Sequence, residues 1–174
     1  MTKLDKGLVQ VYTGNGKGKT TAAFGLALRA SGSGLSTCIY QFAKGAPSGE
    51  IAAIRKLSNV KVMRSGSCRL IRGKPSATDK TAARVQLKRA AKGLISGKYD
   101  VVILDEVNVA MGLGLVSQED VLELIRKRPD SVEIVLTGRN CPVAIIKKAD
   151  LVTEMKDVRH PYKKGISARR GIEY

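Results

Sequence analysis

The residues with the clearest chemical capacity are Thr13-Gly14-Asn15-Gly16-Lys17-Gly18-Lys19-Thr20-Thr21, set between an apolar run and an amphipathic segment. Glycines at 14, 16 and 18 remove side chains, so backbone N–H groups can close around a phosphate. A helix opening at Lys19 would aim its positive dipole end at the same point. Lys19 then reaches the terminal phosphates, the Thr20 hydroxyl takes one place on Mg²⁺, and Lys17 offers a second cation. The expectation is a nucleoside triphosphate site. In the standard G-x-x-x-x-G-K-[ST] spacing the first glycine would fall at position 13, but the chain has Thr13 there and glycine one place later, at Gly14.

Two further segments carry chemistry. Val101-Val102-Ile103-Leu104-Asp105-Glu106 is an apolar run ending in two carboxylates. On a buried parallel strand both acids emerge at the carboxyl end, where open α/β sheets bind ligands. Beside a phosphate loop such acids hold Mg²⁺ directly or through water, or orient a nucleophile. Val135-Leu136-Thr137-Gly138-Arg139-Asn140 ends a second strand on the same edge, and the planar guanidinium of Arg139 suits phosphate. Side-chain nucleophiles and bases are poorly supported: His160, the one histidine, precedes Pro161 in a loop, and no cysteine has a neighbouring histidine.

The elements that must position these groups follow from the alternation of short apolar runs with helical segments, which predicts βαβ units and a mainly parallel six-stranded sheet with helices on both faces. Strands are expected at Leu8–Tyr12, Leu35–Phe42, Val60–Arg64, Val101–Leu104, Val132–Leu136 and Leu151–Met155. Helices are expected at Lys19–Ser31, Glu50–Leu57, from Asp79 to about Ser96 with Asp79 or Thr78 as cap, from the cap Ser117 to Arg128, and at Pro142–Lys148. A loop spans Ser65 to Thr78. Residues 156–174 form a basic tail, expected as an ordered surface arm or loop of a single domain covering 1–174.

Size and composition bound the rest. A chain of 174 residues buries a full core without disulfides or a structural metal. The core must be aliphatic, since the chain has no Trp and two Phe. Cys38, Cys68 and Cys141 lack C-x-x-C spacing, and neither a membrane span nor a signal-peptide h-region is visible, so the cytoplasm is the expected compartment. The net charge of +16 attracts polyanions, yet it is dispersed and lacks the aromatic set that single-strand binders use. It is read as a solvated basic surface that steers anionic substrates such as ATP.

Taken together, the segments resemble one family. Val9-Gln10-Val11-Tyr12 running into the loop and on to Ala22-Ala23-Phe24-Gly25 is similar to the opening of the ATP:cob(I)alamin, or corrinoid, adenosyltransferases. So are Gln41-Phe42-Ala43-Lys44-Gly45, Ile103-Leu104-Asp105-Glu106-Val107-Asn108, Ile134 to Pro142, and the ending Gly171-Ile172-Glu173-Tyr174. The resemblance implies a RecA-like P-loop domain in which Co(I) of a corrinoid attacks the 5′ carbon of ATP and triphosphate leaves. It implies that Gly14, Asn15, Gly16, Lys17, Gly18, Lys19, Thr20 and Thr21, with Arg139, bind the nucleotide. Thr20 and Glu106 are then the metal ligands, with Asp105 behind them or as an alternate ligand, and Lys19, Thr20 and Glu106 carry catalysis. It further implies a homodimer and a reductant partner such as a flavoprotein. Where family members commonly carry a G-F-T-W segment, this chain reads Gly66-Ser67-Cys68-Arg69, and the basic N-terminal extension of some members is not expected before the first strand. The alternatives to this reading are a P-loop NTPase or kinase, or a basic ATP-dependent regulatory or nucleic-acid-binding protein, that has lost the corrinoid site.

Overall fold

A computed structural model describes residues 4–42, 48–64 and 73–173. The chain runs β1 (Val9–Thr13), α1 (Lys19–Gly32), β2 (Thr37–Gln41), α2 (Gly49–Ile54), β3 (Val60–Arg64) and α3 (Ala77–Leu94). It continues through β4 (Val101–Asp105), α4 (Val107–Gly112), α5 (Gln118–Arg126), β5 (Glu133–Thr137), α6 (Val143–Ile146) and β6 (Leu151–Glu154), then a 3₁₀ turn at Pro161–Lys164. The six strands form one sheet in the order β3-β2-β4-β5-β1-β6, and every pairing is parallel. The mainly parallel sheet expected from the sequence is thus parallel throughout. β5 lies between the loop strand β1 and the acidic strand β4, as a RecA-like sheet has it.

Strand side chains alternate between two cores because successive Cβ atoms point to opposite faces. Val9, Val11, Cys38, Tyr40, Val102, Leu104, Ile134 and Leu136 pack against α3, α4, α5 and Ile145 of α6. Ile39, Val101, Ile103 and Val135 pack on the other face against Ala23, Phe24, Ala27 and Ala30 of α1 and Ile51 and Ile54 of α2. Burial of the central strands on both sides explains why they read as continuous apolar runs. The sheet thus carries one core on each face.

Three local expectations need correction. The long helix begins at Ala77, not Asp79, and its cap is Ser76: the Ser76 hydroxyl accepts from the Asp79 N–H while the Asp79 carboxylate accepts from the Ser76 N–H. Asp79 therefore closes a capping box from the third helical position rather than capping. A short helix, α4, follows directly from the acidic strand, where no element is expected from the sequence. The third correction is at Pro142, which caps α6 instead of opening it, and the helix stops at Ile146. The cap expected at Ser117 is present, with its hydroxyl accepting from the Asp120 N–H. Among the described residues no helix is long and apolar enough to cross a membrane. Cys38 and Cys141 are free; Cys68, with the whole Gly66–Arg69 stretch, lies outside the described residues, as do Ala43, Lys44 and Gly45.

Candidate functional site

The loop after β1 is shaped as much by its neighbour as by any ligand. Thr13 ends β1 with its side chain buried, and its hydroxyl accepts from the Cys141 N–H at 3.2 Å. The chain then turns at Gly14, with φ 91°, where a Cβ would stand 2.5 Å from the Met155 carbonyl oxygen. At Gly16 a Cβ would meet the carbonyl oxygens of Met155 and Lys156 at 2.7 Å, and the Gly16 N–H donates to Met155 O at 2.6 Å. The displaced glycine thus has a structural cause: Thr13 still pairs with β6 as a strand residue, its carbonyl accepting from the Met155 N–H at 2.9 Å, and it is at 14 and 16 that the residues after β6 leave no room for a Cβ. Gly18, with φ 119°, makes the left-handed step into α1.

Lys19 is almost wholly buried and folds back into this loop, donating from Nζ to Gly14 O and to Gly16 O, each at 2.7 Å. Burial is the main influence that lowers its pKa; the Glu106 carboxylate works against that, and the Arg139 guanidinium adds to it. Next to it the Thr20 hydroxyl donates to Asp105 Oδ1 at 2.9 Å. Asp105, fully buried at the end of β4, also accepts at Oδ1 from the Thr137 hydroxyl at 2.8 Å and at Oδ2 from Gln41 Nε2 at 2.9 Å. Three strand ends, β2, β4 and β5, are thereby joined to the first turn of α1 through one carboxylate.

Glu106 follows in a left-handed conformation, φ 63°, as the cap residue of α4, with its N–H donating to Thr137 Oγ1 at 2.9 Å. A non-glycine residue held there costs of order 1–3 kcal/mol, and such strain gathers at functional sites. Opposite, Gly138 passes tightly against α4, with a hypothetical Cβ 3.0 Å from Asn108 Cβ, and its carbonyl accepts from Asn108 Nδ2 at 3.1 Å. This packing fixes where Arg139 leaves the sheet.

A cleft of 770 Å³ opens at this edge. Gly16, Lys17, Gly18, Lys19, Thr20, Thr21, Glu106 and Arg139 all line it, so most of the expected site residues converge. Gly14 and Asp105 stand behind the wall, supporting Lys19 and Thr20, and Asn15 is exposed without lining the cleft. Beyond the loop the cleft has an apolar flank formed by Phe24 and Leu28 of α1 with Ala53 and Ile54 of α2. His160 also lines it, its Nδ1 accepting from the Tyr162 N–H. Gln41 and Thr137 carry no role on the sequence alone; each is a polar residue closing an apolar strand, and that is the signal by which they could have been found. The docking of residues 171–173 against the loop has no such signal.

Fold and site together define a phosphate-loop α/β protein: a glycine loop and lysine at one strand end, and an acidic strand end two positions across a parallel sheet. Comparison with known proteins makes this specific. The family described as ATP:corrinoid adenosyltransferase BtuR/CobO/CobP matches residues 5–174. The chain is 36% identical over 172 residues to the corrinoid adenosyltransferase of Escherichia coli K12, covering 98% of this chain and 87% of that protein. It is 37% identical to the corrinoid adenosyltransferase of Pseudomonas aeruginosa, over 98% of this chain and 85% of the relative. Against the corrinoid adenosyltransferase CobA of Salmonella typhimurium the identity is 34%, over 98% and 87%. The chain belongs to the BtuR/CobO/CobP family of ATP:corrinoid adenosyltransferases.

Proposed function

We propose that the protein transfers the 5′-deoxyadenosyl group of ATP to the Co(I) centre of a corrinoid and releases triphosphate. The observation that carries this reading is the buried Lys19 ammonium and the Thr20–Asp105 contact at the mouth of a glycine loop, in a chain matched to this family almost end to end. The cobalt electron pair forms the Co–C5′ bond, the C5′–O bond breaks, and its electron pair leaves on triphosphate. No protein nucleophile is needed, since the cobalt supplies the electron pair; the chain's task is to hold and neutralise the leaving group and to align two substrates. Lys19, now bonded to two carbonyls of its own loop, exchanges them for phosphate oxygens. Lys17 and Arg139 add charge at the cleft wall.

Mg²⁺ fits the residues present. The candidate ligands are all hard oxygens: the Thr20 hydroxyl and the carboxylates of Glu106 and Asp105. Thr20 gives its hydrogen to Asp105, which leaves its lone pairs for a cation. Among the described residues no group of three or more His, Cys, Asp and Glu gathers to form a protein cage. One or two side chains with phosphate oxygens is the arrangement Mg²⁺ prefers. When bound, the ion would neutralise charge building on the departing triphosphate. Asp105 orients Thr20, while Glu106 is held at the cleft by its strained backbone.

The family reading also carries a homodimer, a reductant such as a flavoprotein, and a reducing cytoplasmic setting that suits free Cys38 and Cys141. The choice of corrinoid is tied to Gly66-Ser67-Cys68-Arg69, which stands where the family resemblance implies a G-F-T-W segment. The test is an anaerobic assay with chemically reduced cobalamin and cobinamide in parallel, followed by the spectral change on adenosylation. Formation of a cobalt–carbon bond with release of tripolyphosphate is expected, and Lys19→Ala should abolish it. Conversion of ATP to ADP and phosphate with no adenosylated corrinoid would overturn the reading.

A further inference from the structure

The basic tail does more than cover the surface. Residues 169–173 form a tight turn in which the Glu173 N–H donates to Arg169 O at 2.9 Å, and the Arg169 N–H donates to Glu173 Oε2 at 2.7 Å. Arg169 Nη2 also donates to Glu173 Oε1 at 3.0 Å. The phosphate loop reaches out to this turn: Lys17 Nζ donates to Ile172 O at 2.9 Å and to Glu173 Oε1 at 3.1 Å. Gly171, Ile172 and Glu173 line the same cleft as residues 16–21.

Two features decide what this turn is for. The first is charge. One carboxylate is shared by two cations, so the Arg169–Glu173–Lys17 cluster keeps a net positive charge and remains compatible with an anion in the cleft. Arg169 above all, then Lys17, holds the Glu173 carboxyl down to about 2, so it is ionised at any working pH. The second is how lightly the turn is held. Residues 161–172 are exposed, and the Lys17–Glu173 pair has side-chain exposures of 47% and 20%. Exposed pairs of this kind hold a segment by a few-fold at most. Ile172, 58% exposed, and Leu28, 59% exposed, both line the cleft with open apolar surface.

We propose that the Arg169–Glu173 turn is a wall of the nucleotide site that closes on bound ATP. Glu173 is a positioning residue that holds the Lys17 ammonium at the mouth of the loop, and Ile172 supplies apolar cover for the nucleoside portion. The proposal rests on the reading of the loop as a triphosphate site.

The test uses the full chain with magnesium ATP and magnesium tripolyphosphate, measured by calorimetry and by amide hydrogen exchange of residues 169–173. ATP should raise protection of the Arg169 and Glu173 amides several-fold. Glu173→Gln should weaken ATP and tripolyphosphate alike by roughly 2- to 5-fold, the scale of an exposed pair, and raise KM for ATP with kcat nearly unchanged. Ile172→Ser should weaken ATP by about 5-fold, the loss of part of one side chain's burial, and leave tripolyphosphate binding as it is. Lower amide protection with ATP, or tighter ATP binding by either variant, would mean that the turn competes with triphosphate instead of enclosing it, and the proposal fails. Unchanged protection and affinity would make the turn a bystander and also overturn it. If Lys19→Ala keeps full ATP affinity, the fault lies with the loop reading and not with the turn.

Discussion

Gly25 lies inside α1, where glycine costs roughly 0.5–1 kcal/mol relative to alanine. Among the described residues nothing explains that cost: a Cβ built at Gly25 has none of their heavy atoms within 4 Å, and the residue lines the cleft. The open space is where a ligand must lie if the cleft holds ATP along α1. Gly25→Ala should therefore stabilise the free protein by about 0.5–1 kcal/mol. With an unfolding entropy near 2.1 cal/mol/K per residue, a chain of this length gains roughly 1–3 °C in Tm. ATP affinity should fall at the same time, because an added methyl in a filled site costs about 1–3 kcal/mol, or roughly 5- to 150-fold. Gly32 is the control: it ends the same helix, its Cβ is also unopposed, and it does not line the cleft. Gly32→Ala should leave ATP binding alone. Gly93 marks the other extreme, since its Cβ would fall 2.0 Å from Tyr40 Oη inside the core, so Gly93→Ala should destabilise. Urea unfolding and calorimetric titration with ATP decide the matter. Loss of stability in Gly25→Ala, or unchanged ATP affinity, would refute the argument that the space is kept for ligand.

Other expectations concern single groups. Glu106→Gly removes the left-handed strain, so its unfolding free energy should stay within about 1 kcal/mol of the parent, while Mg²⁺-dependent ATP binding is lost; a large loss of stability would show that Glu106 serves the fold. Burial pushes the Cys141 thiol up to about 11, so alkylation mapped to this residue should be slow at pH 8 and accelerate only toward pH 11; rapid labelling at pH 8 contradicts this. Glu173, a carboxyl with its pKa depressed to about 2, contributes docking of the turn that is complete above the ordinary glutamate range and lost as pH falls through about 2. Its carboxyl resonance should titrate near 2, and Arg169→Ala should return the midpoint toward the ordinary value.

What the sequence made legible was whatever local pattern alone enforces. The loop at 13–21, the acidic end of β4 and Arg139 carry their chemistry in adjacent residues, and all three meet at one cleft. Central strands buried on both faces announce themselves as apolar runs, so β3 is placed to the residue and the others within one or two. Features that depend on distant chain segments were invisible. Why glycine stands at 14 rather than 13 depends on the carbonyl of Met155, 141 positions away. The partners of Asp105 come from β2 and β5, and those of Lys17 from residues 172 and 173. The missed helix α4 is short and glycine-ended, held by packing of Val107 and Ala110 rather than by propensity.

The Asp105 cluster permits a sharper experiment on how carboxylates are divided between structure and metal. Both Asp105 oxygens accept hydrogen bonds, from Thr20 and Thr137 on one side and from Gln41 Nε2 on the other. Asp105→Asn keeps an acceptor for the two hydroxyls but turns an N–H₂ toward Gln41 Nε2, so the Gln41 carboxamide either opposes it donor to donor or rotates to offer Oε1 and carries its own N–H₂ away from the one acceptor it has at Asp105. Leaving one such donor unmatched costs about 1–3 kcal/mol. Adding Gln41→Glu reverses the pair, so the carboxamide at 105 donates to the carboxylate at 41, and one buried negative charge is kept. The double variant should regain most of the lost stability. It should not regain nucleotide binding at low Mg²⁺, because the negative charge now lies at the end of β2, away from the Thr20 hydroxyl. Unfolding by urea and ATP titration across a Mg²⁺ series read the two outcomes separately. If Gln41→Glu fails to restore stability, the donor–acceptor account of the cluster is wrong; if it restores metal-dependent binding as well, Asp105 orients Thr20 through geometry alone and its charge has no part in the site.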